Sequence, residues 1–314
     1  MLPYSEDFLL NLQASGYSPE TVYNYERDLK VFEQFLEDSR FRFDKIDKKT
    51  ILNYKAYLAS QDRKTATQAE QGGRQLASRS VNRMLSALRS FFRYLVEMDY
   101  PCPIPPEAVK LTKMERKHPQ VAELDNLVRL IEAPSYLESN SKVAMRNRAM
   151  LEVLFATGMR ISELCNLNRN QIDSSGRIFI LGKGRKQRFV YLTRRAQEHL
   201  ERYLASREDD SPALFVPYAG RNVSSYRKRI STNYLQGRIK WYREKLRINV
   251  PTSAHSLRHG FATYLAEEGA NPAAIQILLG HESLATTTRY VHASDKYAEE
   301  THRRFHPLSQ PERE

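Results

Sequence analysis

Apolar residues recur every three or four positions through most of the N-terminal third of the chain. In SPETVYNYERDLKVFEQFL, Val22, Tyr25, Leu29, Phe32 and Leu36 share one helical face, with Ser18 as N-cap and Pro19 at the first helical position. Asp47 opens a second helix with Ile51, Tyr54 and Leu58 on one side, and SRSVNRMLSALRSFFRYLV predicts a third along Val81, Leu85, Leu88, Phe92 and Leu95. No strand pattern interrupts them. Between the second and third helices, QDRKTATQAEQGGRQLA is polar and broken by Gly72 and Gly73, which predicts a long loop or a loop leading into a helix start. Pro101, Pro103, Pro105 and Pro106 then forbid a continuous helix, and basic, polar residues follow. The pattern divides the chain into a helical domain over 1–108, a linker over 109–118 and a second domain over 119–314.

The second domain opens on a helical stripe of Leu124, Leu127, Val128 and Ile131 and continues through MRNRAMLEVLFATGMRISELCNL. The period then shortens: RIFIL and RFVYL flank GKGRKQ and predict a β-hairpin. Further helices are expected at about Ser224 to Lys245, Ser256 to Glu268, Pro272 to Leu279 and Ser294 to Arg304. The fold class is therefore mainly α, an all-helical domain joined to an α+β domain with a small antiparallel sheet.

Charge narrows the partner. The 314 residues include 49 Lys+Arg against 37 Asp+Glu, a formal charge of +12, which favours an anionic polymer over a small neutral substrate. Cys102 and Cys165 are the only cysteines and sit in dissimilar surroundings, so they build neither a disulfide framework nor a cysteine metal cluster. The start, MLPYSEDFLLNLQ, is acidic where a signal peptide is basic, and no apolar run approaches a membrane span. A cytoplasmic protein with no membrane partner is expected.

HSLRHGFATYL, residues 255 to 265, places His255 and His259 on one helix face. A zinc hydrolase helix requires glutamate directly after the first histidine, and that position is Ser256. Arg258, always cationic, lies on the same turn and repels a metal, whereas its guanidinium matches two phosphate oxygens in a fixed plane. Phosphate is the better fit; the other reading is that the two histidines only finish a helix surface. Elsewhere TGMRISEL sets Arg160 in a helix-to-helix turn after Gly158, LGKGRKQRF holds Lys183 between two glycines at the hairpin tip, and LLGHESLATTTRYVH carries His281 and Tyr290. Each of these taken singly is as well explained by a solvated or packed side chain.

In this order, Arg160, Lys183, His255 with Arg258, His281 and Tyr290, within TGMRISEL, GKG, HSLRHGFAT and LGHESLATTTRY, resemble the catalytic signature of the tyrosine recombinase family. The resemblance covers the whole second domain, implying the DNA breaking-rejoining enzyme fold, and the first domain is similar to the family's SAM-like core-binding domain. It implies that Tyr290 attacks a DNA phosphodiester to give a 3′-phosphotyrosyl linkage and a free 5′-hydroxyl. In those roles Arg160 and Arg258 stabilise charge on the phosphoryl oxygens, His255 is the base, His281 a phosphate hydrogen-bond donor and Lys183 the general acid. Glu163 matches the family's acidic position and orients its neighbours. The residue types fit the chemistry: fixed cationic donors are the largest lever on a phosphoryl transition state, and a phenol of pKa near ~10 needs help to ionise at neutral pH. Neither ATP nor a metal is required, because the ester keeps the bond energy and the cations neutralise the charge.

The resemblance implies double-stranded DNA as partner. Arg79, Asn82, Arg83, Ser86 and Arg89 line the polar side of the third helix, facing a major groove. In SSYRKRISTNYLQGRIKWYREKLRI, Leu235, Ile239, Tyr242 and Leu246 pack inward while Arg238, Lys240, Arg243 and Arg247 flank them as phosphate contacts. The tail over about 294–314 is expected to start as a polar helix and, as in the recombinases it resembles, to dock onto a neighbouring subunit. FHPLSQ is similar to the tail of the Xer branch, which resolves chromosome dimers. The helical domain also begins almost at residue 1, without room for an arm-binding module. The expectation is a Xer-type recombinase acting in a homo- or hetero-tetramer on paired DNA sites, with a DNA translocase as a candidate activator. The alternatives are an integrase or resolvase of a phage or mobile element, and a type IB topoisomerase that relaxes supercoils without exchanging strands.

Overall fold

The computed structural model describes residues 2–60, 76–113, 122–181, 187–220, 223–224, 228–280 and 299–307. It divides into two compact units, Met1–Lys117 and His118–Glu314. Lys183, His281, Tyr290, most of the QDRKTATQAEQGGRQLA segment and the ends of the tail lie outside the described residues.

The first unit holds α1 (Ser5–Ala14), α2 (Pro19–Asp38), α3 (Lys48–Ala59) and α4 (Ser78–Glu97). The expected caps are made: Ser18 Oγ accepts the Thr21 N–H at 3.2 Å, and Asp47 Oδ1 accepts the Thr50 N–H at 2.7 Å. The stripes of α2, α3 and α4 converge on an aromatic core in which Phe32, Tyr54 and Phe92 are wholly buried, Phe32 and Tyr54 meeting edge to face at 4.7 Å. Helix α1 is not foreshadowed by the pattern, since it buries only Phe8 and Leu12. The proline-rich segment belongs to this unit: Ile104 and Val109 enter its core, and the Asn82 amide brackets Thr112, donating to its carbonyl at 3.0 Å and accepting its N–H at 2.8 Å. The unit thus runs past the expected end at 108.

The second unit is built on α7 (Ser141–Thr157), buried without a break from Arg146 to Thr157. A helix enclosed on every side needs no polar stripe, and its buried charged residues are hydrogen-bonded within the unit, Arg148 to Glu152 and Arg146 to Asn147 and the Val216 carbonyl. Around it lie α5 (Leu124–Glu132), α6 (Pro134–Leu137), α8 (Ile161–Asn166), α9 (Arg194–Ala205), α10 (Thr232–Lys245), α11 (Ala254–Glu267) and α12 (Pro272–Leu279). Strands β1 (Arg177–Leu181) and β2 (Gln187–Tyr191) pair antiparallel, Phe179 opposite Phe189, as the hairpin pattern predicts. Two expectations are corrected. Helix α10 starts at Thr232 rather than near Ser224, because Ser231 supplies the cap that accepts the Tyr234 N–H at 3.2 Å. Helix α9 was not expected; Thr193 caps it, and its inward stripe is only Ala196, Leu200 and Tyr203 among charged residues.

Residues 299–305 are helical, and Thr301, His302 and His306 are buried in their own unit. His302 Nε2 bonds the Ala156 carbonyl and His306 Nε2 the Phe155 carbonyl, at the end of α7. Burial pushes His302 down to about 4, against the opposing effect of its hydrogen bond to the Ala156 carbonyl and with Arg303 adding to the fall; burial and His302 lower His306 likewise. Both rings are therefore neutral when packed, and unfolding lets them take up protons below the ordinary value of 6.5. Stability rises with pH across that window, so attachment of 299–306 weakens as pH falls from 6.5 towards 4, His302 alone accounting for about 3 kcal/mol once protonated. Amide exchange of 299–306, corrected for intrinsic rates, is expected to be faster at pH 5 than at pH 7; equal protection at both would contradict the buried pair.

Candidate active site

Helix α7 stops at Gly158, whose φ of 60° is left-handed and whose N–H returns to the Leu154 carbonyl. A Cβ at that position would lie 2.4 Å from the buried Phe261 ring, so both the turn and the close approach of α11 require glycine. The chain leaves the turn at Arg160, the residue preceding α8. Glu163, in the first turn of α8, reaches back: Oε2 accepts the Arg160 backbone N–H at 2.7 Å and Oε1 accepts Arg160 Nη1 at 3.1 Å. Arg160 remains 41% exposed while Glu163 is almost covered.

Helix α11 brings the second arginine. Ser253 caps it, accepting the Ser256 N–H at 3.2 Å, which sets His255 in the first turn and Arg258 one turn on. Arg258 is buried, and its guanidinium bridges two turns, Nη1 donating to the Gly158 carbonyl at 2.7 Å and Nη2 to the Leu279 carbonyl at 2.6 Å. Burial, then the charges of Arg160 and Arg188, push Arg258 from 12.5 down to about 10, with Glu163 opposing. It stays cationic at neutral pH, in a site where arginines outnumber carboxylates. His255 and His259 meet through their Nε2 atoms at 3.0 Å, rings edge to face. Among the described residues no group of three or more His, Cys, Asp or Glu side chains is placed to hold a metal ion.

One participant escaped the sequence reading. Arg188 on β2 is buried and grips Glu163 with both prongs, Nη1 to Oε1 at 3.0 Å and Nη2 to Oε2 at 2.7 Å, while its Nε donates to the Leu278 carbonyl at 3.0 Å. The signal was available: Arg188 alternates with Val190 on the inward face of a strand, where a charge requires a partner. Burial by itself would raise the Glu163 carboxyl, but the bonds and charge of Arg188, then those of Arg160, hold it below the ordinary value.

The structure therefore gathers Arg160, Glu163 and Arg258, with His255 on the same helix as Arg258. Comparison with known proteins points the same way. The profile of the phage integrase family matches residues 120–297, and that of the phage integrase N-terminal SAM-like domain matches residues 6–98. The tyrosine recombinase XerD of Staphylococcus epidermidis is 32% identical over 311 residues, covering 96% of this chain and 98% of its own. The chain belongs to the phage integrase family of tyrosine recombinases. It is accordingly an enzyme of DNA strand breaking and rejoining. The tyrosine recombinase XerC of Pediococcus pentosaceus is 35% identical over 300 residues, covering 93% of this chain and 94% of its own. In fold, the chain is similar to XerH site-specific recombinase bound to a palindromic difH substrate, with TM-score 0.67 and 22% identity over 90% of this chain and 79% of that one. It is also similar to lambda integrase in a tetramer bound to a Holliday junction, with TM-score 0.63 and 17% identity over 90% and 77%.

The expected DNA contacts of this recombinase divide into exposed and committed side chains. Arg79 is exposed on α4, and Arg83 is partly exposed but paired with the buried Asp28. Asn82 is corrected: it lies on the buried side of α4, its amide spent on Thr112, because the apolar face of this helix is wider than the stripe of five suggests. Arg238 is corrected as well. Its guanidinium is held by Glu138 and lies 4.1 Å from the Trp241 ring centre, inside a network in which Asn147 Nδ2 donates to both Glu138 and Tyr242. Lys240 is exposed, with Glu244 at 3.9 Å, and Arg243 is half-buried. Of the expected flank, Lys240 on α10 and Arg247 just beyond its end are the exposed cations.

Proposed function

We propose that this chain is a Xer-type site-specific recombinase that cuts and rejoins DNA through Tyr290, working as a tetramer of identical or paralogous chains on two paired sites in the cytoplasm and resolving chromosome or plasmid dimers. The observation that carries the chemistry is the arginine pair: Arg258 is fixed by two buried carbonyls and Arg160 is half exposed beside it, so their donors are in place before a phosphate arrives. Preorganised cations of this kind act on the charge that develops at a phosphoryl group without reorganisation. On this reading Arg160 and Arg258 hold the scissile phosphate, His255 accepts the phenolic proton, His281 donates to a phosphate oxygen and Lys183 protonates the departing 5′ oxygen. Glu163 fixes Arg160 and takes no chemical step. The Xer assignment draws on the XerD and XerC similarity along nearly the whole chain. No described helix is long and apolar enough to cross a membrane.

The target sequence can be found and the chemistry tested together. Purified protein is mixed with fragments of its source genome, denatured, and the DNA that remains attached to polypeptide is sequenced, while the attachment point is mapped by peptide mass spectrometry. The expected result is a few recurrent sites carrying a two-part inverted sequence, joined through their 3′ phosphate to Tyr290. Attachment at another side chain, or none, would reject the assignment, and sites within a mobile element rather than the chromosome would move the role to that of an integrase.

A further inference from the structure

Glu163 accepts four hydrogen bonds, two on each oxygen, and all four donors lie outside its own helix, two on Arg160 just before it and two on Arg188. The two from Arg188 form a parallel fork, the strongest geometry available to a guanidinium and a carboxylate. That fork comes from β2, in which Arg188 stands opposite Ile180 and shares the inward face with Val190. The third donor of Arg188 closes on the Leu278 carbonyl at the end of α12, and Gly280 follows with φ 65°. A Cβ on Gly280 would sit 3.0 Å from Arg188 Cδ, so the backbone entering the His281 segment passes directly over this arginine.

The consequence falls on Arg160. A nearly buried carboxylate must be neutralised, and two arginines are within its reach. Because Arg188 occupies both oxygens, Arg160 gives Glu163 one side-chain bond, and its other guanidinium N–H groups make no hydrogen bond among the described residues. We infer that Arg188 is a positioning residue for the recombination reaction: it satisfies Glu163 so that Arg160 presents its guanidinium to phosphate instead of folding back onto the carboxylate. The inference rests on the proposed role of Arg160. Its chemistry is competition for one carboxylate, which distinguishes it from a plain tie between β2 and α8. Removing Arg188 frees Glu163 to capture Arg160; removing Glu163 as well releases Arg160 again.

The test uses the full-length protein and a nicked duplex carrying a site recovered by the covalent trapping described above. Wild-type adduct formation on that duplex is measured first, so failure of the recombinase assignment shows before any variant is compared. Single-turnover adduct formation at saturating DNA is then followed for Arg188→Gln, Glu163→Gln and the double variant, with DNA affinity and thermal unfolding measured alongside. Arg188→Gln is expected to slow cleavage about tenfold, the scale of a small misplacement of one reacting-centre donor. DNA affinity, which sums over many phosphate contacts, is expected to stay within about twofold. The double variant is expected to cleave several-fold faster than Arg188→Gln. A purely structural tie predicts the opposite order, since the second substitution would only add damage. If Arg188→Gln does not fold, Arg188→Lys, which keeps the charge and loses the fork, takes its place in the same comparison. Cleavage at the wild-type rate without Arg188, or a double variant no faster than the single one, overturns the inference.

Discussion

Arg258→Lys protein is expected to bind DNA yet cleave it at least about a hundredfold more slowly than wild type, the usual cost of losing one preorganised donor to a charged transition state. The substitution keeps a formal charge, so the argument is geometric and electrostatic. The guanidinium spans the Gly158 and Leu279 carbonyls at two separate turns, with Nη1 and Nη2 in one plane. A single ammonium on a flexible stem cannot hold both, and each buried carbonyl left without a donor costs about 1–3 kcal/mol. Burial and two neighbouring arginines already bring Arg258 down from 12.5 to about 10. The same surroundings acting on a lysine, which starts about two units lower, bring its deprotonation towards neutral pH. The variant's cleavage rate should therefore fall as pH is raised from neutral to mildly alkaline, a fall absent from the wild-type profile. Single-turnover adduct formation across that range reads both effects, and a lysine variant matching wild type at every pH would remove Arg258 from the proposed site.

Glu152→Ala is expected to destabilise the second unit by about 3–5 kcal/mol, the cost of stripping the partner from buried charges. Glu152 has no exposed surface. Its Oε1 accepts Arg148 Nε at 2.9 Å from its own helix and Arg195 Nε at 2.8 Å from α9, so one carboxylate joins the central helix to its neighbour. Glu132 also meets both arginines, Arg148 at 3.3 Å and Arg195 at 2.9 Å, but it is 40% exposed and cannot alone neutralise two desolvated guanidinium groups. Denaturant unfolding of the variant measures the loss. Replacing Arg148 and Glu152 together by apolar residues of similar volume should recover most of it, because the pair then leaves no unpaired charge. A Glu152→Ala shift below about 1 kcal/mol would mean that water reaches the arginines and that the cluster does not bind α9 to α7.

Both variants concern side chains whose meaning depends on what surrounds them, and the same division runs through the whole chain. Helices α2 and α3 were legible because each combines a cap residue with an apolar stripe, α4 by its long apolar stripe alone, and the hairpin because the period changes from three or four to two at RIFIL. Helices α1 and α9 were not, since each buries too few residues for a stripe to stand out, and their place comes from the core they lean on. The start of α10 was misjudged because Lys228 and Arg229, just before Ser231, continue the same composition without being helical.

Within the site, the sequence by itself supplied the residues proposed to carry the chemistry: Arg160, Lys183, His255, Arg258, His281 and Tyr290 were chosen by type and order, and order survives without coordinates. It also determined the basic balance and the two-part division of the chain. Only the tertiary structure decided how charges are shared. It assigned Arg188 to Glu163, committed Arg238 to Glu138 and Asn82 to Thr112, and buried His302 and His306 against the end of α7. The physical reason is that an arginine looks the same in a sequence whether its donors face water, a phosphate or a carboxylate from a distant segment. Which of these it meets is fixed by burial, and burial arises only when remote elements close around it.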